Sequence, residues 1–124
     1  MSTRILVVED QDDNRMILRD LLHSAGYEVL EAVDGAEGVR MARAERPDLI
    51  LMDIQMPGVD GYQATRAIKA EPGLAAIPII AVTSYALSGD EEKSRAAGCD
   101  DYVTKPFSPR ALLAKVVEWL ERTG

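Results

Sequence analysis

Several features that are common in other classes of protein are rare or missing in this sequence. There is a single cysteine, Cys99, so an internal disulfide is impossible and a reducing cytoplasmic location is expected. No apolar run approaches the length of a membrane span, and the N-terminus lacks the layout of a signal peptide. We therefore expect a cytoplasmic protein without membrane insertion.

Basic character is also lacking. The chain carries 14 Lys and Arg against 21 Asp and Glu, a formal net charge of −7. Such a chain has no electrostatic reason to bind nucleic acid, so nucleic acid is not expected among its partners. The one histidine, His23, lies in a helical segment and is interpreted as a surface residue. The 124 residues contain no internal repeat or linker, which predicts one domain over residues 1–124.

What the sequence does contain is a regular alternation of short aliphatic runs and segments with helical spacing. The aliphatic runs are residues 5–8, 29–32, 49–52, 79–82 and 102–104. The first, third and fourth are apolar at nearly every position, which is typical of strands covered on both faces of a parallel sheet. The pattern predicts an α/β fold of five βα units, with right-handed crossovers and helices on both faces. The fourth helix, near residues 87–97, has a poor apolar stripe and is expected to be loosely held.

Polar side chains follow four of these strands at their carboxyl ends, the edge where such sheets bind ligands. Glu9 and Asp10 follow the first strand, Asp53 ends the third, and Thr83 and Lys105 follow the fourth and fifth. If the first and third strands are adjacent, the three carboxylates lie within a few ångströms and repel one another. A cluster of this kind needs a cation, and oxygen ligands suit Mg²⁺, with Mn²⁺ as a substitute.

The same edge has the parts for phosphoryl transfer. Lys105 supplies a positive charge and Thr83 a hydroxyl donor, which together with a metal can neutralise a phosphoryl group in transit. A carboxylate at the centre, Asp53, can act as the nucleophile and form an acyl phosphate.

Four stretches carry a family resemblance: "ILVVEDQDDNR", "PDLILMDIQMPGVDGYQATRAIK", "IPIIAVTSYA" and "AGCDDYVTKPF". They include a D-x-x-M-P-x-x-D-G motif, a hydroxyl residue further along, and a Lys-Pro pair near the end. In this order they resemble the receiver domain of bacterial two-component response regulators over essentially the whole chain. The resemblance implies a flavodoxin-like (βα)5 sheet with strand order 2-1-3-4-5.

The resemblance also implies roles for individual residues. Asp53 would accept a phosphoryl group from a histidine kinase or a histidine phosphotransfer protein. Asp10 and Asp53 would bind Mg²⁺ directly, Glu9 through a water molecule, and Gln55 through its backbone carbonyl.

Two further roles concern the phosphorylated state. Thr83 and Lys105 would contact the phosphoryl oxygens, and Tyr102 would be an aromatic switch residue coupled to Thr83. The chain ends after the fifth helix, so we expect a stand-alone receiver, a monomer or weak dimer, without an output domain. It would act as a signalling switch and not as an enzyme. Its output to a separate downstream protein would leave through the face formed by the fourth helix, the fifth strand and the fifth helix.

Other functions remain open at this point. The protein could be a phosphorelay intermediate that passes the phosphoryl group on to a histidine phosphotransfer protein. A small Mg²⁺-dependent aspartyl phosphatase of the haloacid dehalogenase type is disfavoured, because that family has a general-acid Asp where this chain has Gln55. An FMN-binding protein is disfavoured because the loop "EDQDDN" is acidic and would repel a phosphate. A receiver that no longer takes phosphate would have lost an acid or the lysine, and neither is lost.

Overall fold

Strands and helices alternate along the chain in the computed structural model, as the sequence predicts. The structure describes residues 2–54, 60–83, 90–105 and 107–123, and of residues 90, 91 and 123 the backbone alone. The strands are β1 (Arg4–Val8), β2 (Glu28–Ala32), β3 (Leu49–Asp53), β4 (Ile79–Thr83) and β5 (Asp101–Thr104). The helices are α1 (Asp12–Ser24), α2 (Gly35–Glu45), α3 (Gly61–Lys69), α4 (Asp90–Ala97) and α5 (Pro109–Thr123). In the described ranges, no helix combines the length and apolar character that a bilayer span requires.

The five strands form one parallel sheet in the order β2-β1-β3-β4-β5. This confirms the predicted flavodoxin-like order. Ile5 pairs with Leu49 across β1 and β3, and Asp53 pairs with Val82 across β3 and β4. The order reverses direction between β1 and β3, so the carboxyl ends of these two neighbouring strands open onto a common crevice.

Side chains of alternate strand residues enter two separate cores, one on each face of the sheet. Ile5, Val7, Leu49 and Leu51 pack with residues of α1 and α5, whereas Leu6 and Ile50 pack with residues of α2 and α3. All six are at most 1% exposed, so both faces of the central strands are covered. This explains why the strands are apolar at successive positions and do not alternate with polar residues.

The helix ends are set by local side-chain hydrogen bonds. Asp60 and Gln63 form a complete capping box at the start of α3, as their spacing predicts. Asp34 accepts a hydrogen bond from the Glu37 backbone N–H at the start of α2. Helix α4 is described from Asp90 to Ala97, and residues 87–89 of the predicted fourth helix lie outside the described ranges.

Helix α5 is attached to β5 through one carboxylate. Asp101 accepts hydrogen bonds from Lys115 Nζ and from the Trp119 indole, each at 2.9 Å. Burial alone would raise the pKa of Asp101, but the bonds from Trp119, Lys115 and the Tyr102 backbone outweigh it and lower the pKa. The charged carboxylate therefore holds α5 beside the strand that carries Tyr102 and leads into Lys105.

Candidate functional site

Backbone hydrogen bonds bring the carboxyl ends of the strands to one edge of the sheet. The Glu9 N–H donates to the Ala32 carbonyl at 3.0 Å, and the Ile54 N–H donates to the Val82 carbonyl at 3.0 Å. The Lys105 N–H donates to the Thr83 carbonyl at 2.6 Å. The residues that follow β1, β3 and β5 are thus hydrogen-bonded to neighbouring strands, which fixes the start of each loop at this edge.

Three carboxylates meet at this edge, as the sequence predicts. One oxygen each from Glu9, Asp10 and Asp53 lies within 4.8 Å of the other two. Glu9 is 1% exposed and Asp53 is 3% exposed, whereas Asp10 is partly accessible. The cluster therefore has two buried acids and one partly accessible acid.

The Lys105 ammonium group lies near both buried acids. Lys105 Nζ lies 3.6 Å from Asp53 Oδ1 and 3.6 Å from Glu9 Oε1. The lysine side chain is 20% exposed, so its charge is only partly screened by water. Its position between the two carboxylates agrees with the prediction that a positive charge sits beside Asp53.

Glu9 has an unusual environment for a carboxylate. Neither of its carboxylate oxygens, both buried, makes a hydrogen bond within the described residues. Burial and the neighbouring Asp53 carboxylate raise the pKa of Glu9 to about 8, while the charge of Lys105 opposes the rise. The fold thus buries a carboxyl group whose oxygens have too few donors around them.

A divalent cation fits this arrangement. Carboxylate oxygens are the ligands that Mg²⁺ prefers, and a cation among three acids would offset the repulsion between them. The buried oxygens of Glu9 that lack donors are the observation that favours a cation most directly. Gln55, whose backbone carbonyl is a predicted further ligand, lies outside the described residues.

Thr83 and Tyr102 lie on the other face of the sheet from the buried acids. Thr83 is the last residue of β4 and is 2% exposed. Tyr102 pairs with Ala81, two residues before Thr83 on β4, and is partly buried against the core that contains α2 and α3. Because alternate strand residues share a face, Thr83 and Tyr102 are diagonal neighbours on the side where α4 packs against β5.

Two residues near the site did not emerge from the sequence as functional. Gly61, the first residue of α3, donates its N–H to the Ile54 carbonyl at 3.3 Å. A Cβ on Gly61 would come within 2.7 Å of Ile54 Cα and would also meet the Asp53 carbonyl oxygen. Arg15, on α1, donates from Nη1 to the Glu9 carbonyl at 2.8 Å. The glycine of the D-G pair was visible in the motif, whereas no local pattern pointed to the arginine.

Comparison with known proteins agrees with this geometry. Residues 5–117 match the family model of the response regulator receiver domain. The chain belongs to the response regulator receiver family. The polar-differentiation response regulator DivK of Brucella anthropi is 42% identical to this receiver domain over 120 residues, which are 97% of this chain and 98% of that protein.

Solved structures of receiver domains superpose closely on this one. The receiver domain of the sensor histidine kinase PA1611 from Pseudomonas aeruginosa PAO1 is 41% identical, with a TM-score of 0.91 over 98% of this chain and 99% of that chain. In that structure a magnesium ion is coordinated in the active site cleft. A putative response regulator from Chloroflexus aurantiacus is 30% identical, with a TM-score of 0.93 over 98% of this chain and 99% of that chain. The receiver domain described here is therefore a signalling module with the fold and acidic cluster that its sequence predicts.

The close approach at Gly61 gives a test of how the site is built. We expect Gly61→Ala to lower the free energy of unfolding by about 1–3 kcal/mol, because the added methyl group meets the backbone that carries Asp53. Gly73→Ala is the matched control, since the nearest atom to a Cβ there is Arg46 Nη2 at 3.8 Å. The control should be neutral or stabilising by up to about 1 kcal/mol. Urea unfolding of both variants measures the difference, and equal stabilities would contradict the steric account.

Proposed function

We propose that this receiver domain takes a phosphoryl group onto Asp53 and changes its partner binding in response. The observation that carries the proposal is the position of Lys105 Nζ, 3.6 Å from an Asp53 oxygen at the carboxyl edge of the sheet. Membership of the receiver family supports the same role. The phosphoryl donor would be a histidine kinase or a histidine phosphotransfer protein.

The chemistry assigned to Asp53 is nucleophilic. A carboxylate oxygen attacks the phosphorus of the donor, an oxygen–phosphorus bond forms, and the bond to the donor histidine nitrogen breaks. The imidazole leaves with the bonding electron pair and can take up a proton. Because β3 ends at Asp53, a rigid buried strand holds the nucleophile in one place.

Lys105 and Thr83 have complementary tasks in this proposal. The Lys105 ammonium group, already beside Asp53, would bind a phosphoryl oxygen and neutralise part of its charge. Thr83 ends the neighbouring strand β4, and its hydroxyl would donate to a second phosphoryl oxygen.

Glu9, Asp10 and Asp53 are the residues that would hold Mg²⁺, with Mn²⁺ as a possible substitute. When bound, the metal would supply positive charge that offsets the charge of the phosphoryl group. Asp10 is the most accessible of the three acids. The buried Glu9 would contact the metal through a water molecule.

Thr83 and Tyr102 are assigned the conformational response. A phosphoryl oxygen that draws the Thr83 hydroxyl toward Asp53 vacates space on the face shared by Thr83 and Tyr102. Tyr102 can rotate into that space, which changes the surface formed by α4, β5 and α5. Helix α4 can follow at low cost, because its buried described side chains are the small Ser94 and Ala97. The surface would then bind a separate downstream protein.

Phosphorylation itself is the first test. Incubation with acetyl phosphate and Mg²⁺ should add one acid- and base-labile acyl phosphate, measured by mass spectrometry of the intact chain. Asp53→Asn should abolish the modification, because an amide is not a nucleophile toward phosphorus. Asp48→Asn is the matched control: it changes the exposed acid just before the same strand and should be modified like the parent. Chelation of the metal should suppress the reaction. Undiminished modification of Asp53→Asn would rule out the assignment.

The response of Thr83 and Tyr102 is tested separately. Addition of beryllofluoride, a stable phosphoryl mimic, should shift amide resonances of α4 and of Tyr102 more than those of α1. Thr83→Ala should reduce these shifts while Asp53 still takes the phosphoryl group. Thr104→Ala is the control, because Thr104 pairs with Thr83 on the adjacent strand and also carries a hydroxyl. Shifts that centre on α1 in the parent protein would favour a phosphorelay intermediate over the switch.

A further inference from the structure

The Arg15 guanidinium joins three separate segments beside the acidic cluster. Nη1 donates to the Glu9 carbonyl at 2.8 Å, and Nε donates to Glu31 Oε1 at 3.3 Å. Nη2 donates to the Asp12 carboxylate at the start of α1. The Arg15 side chain is only 14% exposed, so its donors are largely taken by protein and not by water.

These contacts hold the backbone that links two of the three acids. The Glu9 N–H is bonded to the Ala32 carbonyl at 3.0 Å, and the Glu9 carbonyl is bonded to Arg15. The Glu9–Asp10 peptide is planar, so a fixed carbonyl also fixes the direction in which the Asp10 residue leaves that peptide. The orientation of Asp10 relative to Glu9 thus depends on where the guanidinium sits.

We propose that Arg15 is a positioning residue of the divalent-cation site. It anchors the Glu9–Asp10 peptide so that Glu9, Asp10 and Asp53 present their oxygens together before the cation arrives. The inference rests on the proposed function, since it assumes that these acids bind Mg²⁺.

The planar guanidinium suits this task because it has several donors in a rigid fork. Nε is held by Glu31, whose position is fixed by the pairing of β2 with β1, where Glu31 is opposite Val7. The position of Arg15 Nη1 is therefore set by the sheet as well as by helix α1. A lysine ammonium group has no such fork and cannot hold both acceptors in the same fixed geometry.

Charge and positioning predict opposite effects when Arg15 is removed. A positive charge near a cation site repels the cation, so its loss alone should tighten Mg²⁺ binding. Loss of a group that orients the ligands should weaken it, and such outer partners are commonly worth about 10–100-fold in metal affinity. The sign of the change therefore separates the two effects.

Arg19 provides a matched control on the same helix. Its ion pairs within the described residues are with Asp20 at 3.4 Å and with Glu31 at 3.8 Å. It carries the same charge one turn further along α1 but makes no described contact with the Glu9 carbonyl. Arg19→Ala should leave the Mg²⁺ dissociation constant unchanged or lower it slightly.

The experiment measures the Mg²⁺ dissociation constant of the full chain by isothermal titration calorimetry and by amide shifts of Glu9 and Asp10, after removal of divalent ions. Arg15→Ala should raise the constant about 10–100-fold relative to the parent. Urea unfolding of each variant is measured in parallel, because a merely structural arginine would lower stability without changing the affinity of the folded protein.

The outcomes are distinguishable. If the parent does not bind Mg²⁺ at millimolar concentration, the proposed function fails and the inference fails with it. If the parent binds and Arg15→Ala binds equally or more tightly, the inference alone is overturned. Should Arg15→Ala not fold, Arg15→Lys replaces it, because it keeps the charge and loses the fork. That variant should also bind Mg²⁺ more weakly than the parent, and an unchanged constant would overturn the inference.

Discussion

The contact of one lysine with two buried carboxylates is the constraint on which the rest of the site depends. Glu9 and Asp53 are almost completely buried, and Lys105 Nζ lies 3.6 Å from an oxygen of each. The charge of Lys105 by itself cannot fully offset the three acids when all are ionised, so ionisation of the cluster is unfavourable without a cation. Such a site favours the binding of a divalent cation. It also requires contacts that keep the ligand residues in their positions.

The backbone of the fold sets the positions of these ligand residues. The order β2-β1-β3 places Glu9, which follows β1, next to Asp53 at the end of β3. Lys105 follows β5 at the same edge of the sheet, where β5 pairs with β4. Gly61 lets α3 begin against the backbone of Asp53 and Ile54, where a side chain would collide. Arg15 reaches from α1 to the Glu9 carbonyl. Each residue of the cluster is thus fixed by an element whose own position is set by one of the two cores.

The sheet and the principal side chains of the site could be predicted from the sequence because both follow from one pattern. Apolar runs mark the strands, and the polar residue that ends each run lies at the carboxyl edge, where Glu9, Asp53 and Lys105 are found. The near-complete burial of Glu9 did not follow, since the residue after a strand can face either solvent or a neighbouring loop. Arg15 was missed because its contact with Glu9 joins a helix to a loop through a side chain, which no periodicity reveals.

The most direct test of the account is the stability of the parent and of Glu9→Gln with and without Mg²⁺. In chelator, at a pH above the raised pKa of Glu9, Glu9→Gln should melt at a higher temperature than the parent. The reason is that the substitution removes a buried negative charge that lacks donors and lies beside Asp53. Millimolar Mg²⁺ should raise the melting temperature of the parent by linkage, and should raise that of the variant less. A parent that is as stable as Glu9→Gln in chelator and does not respond to Mg²⁺ would contradict the claim that these acids form one strained cation site.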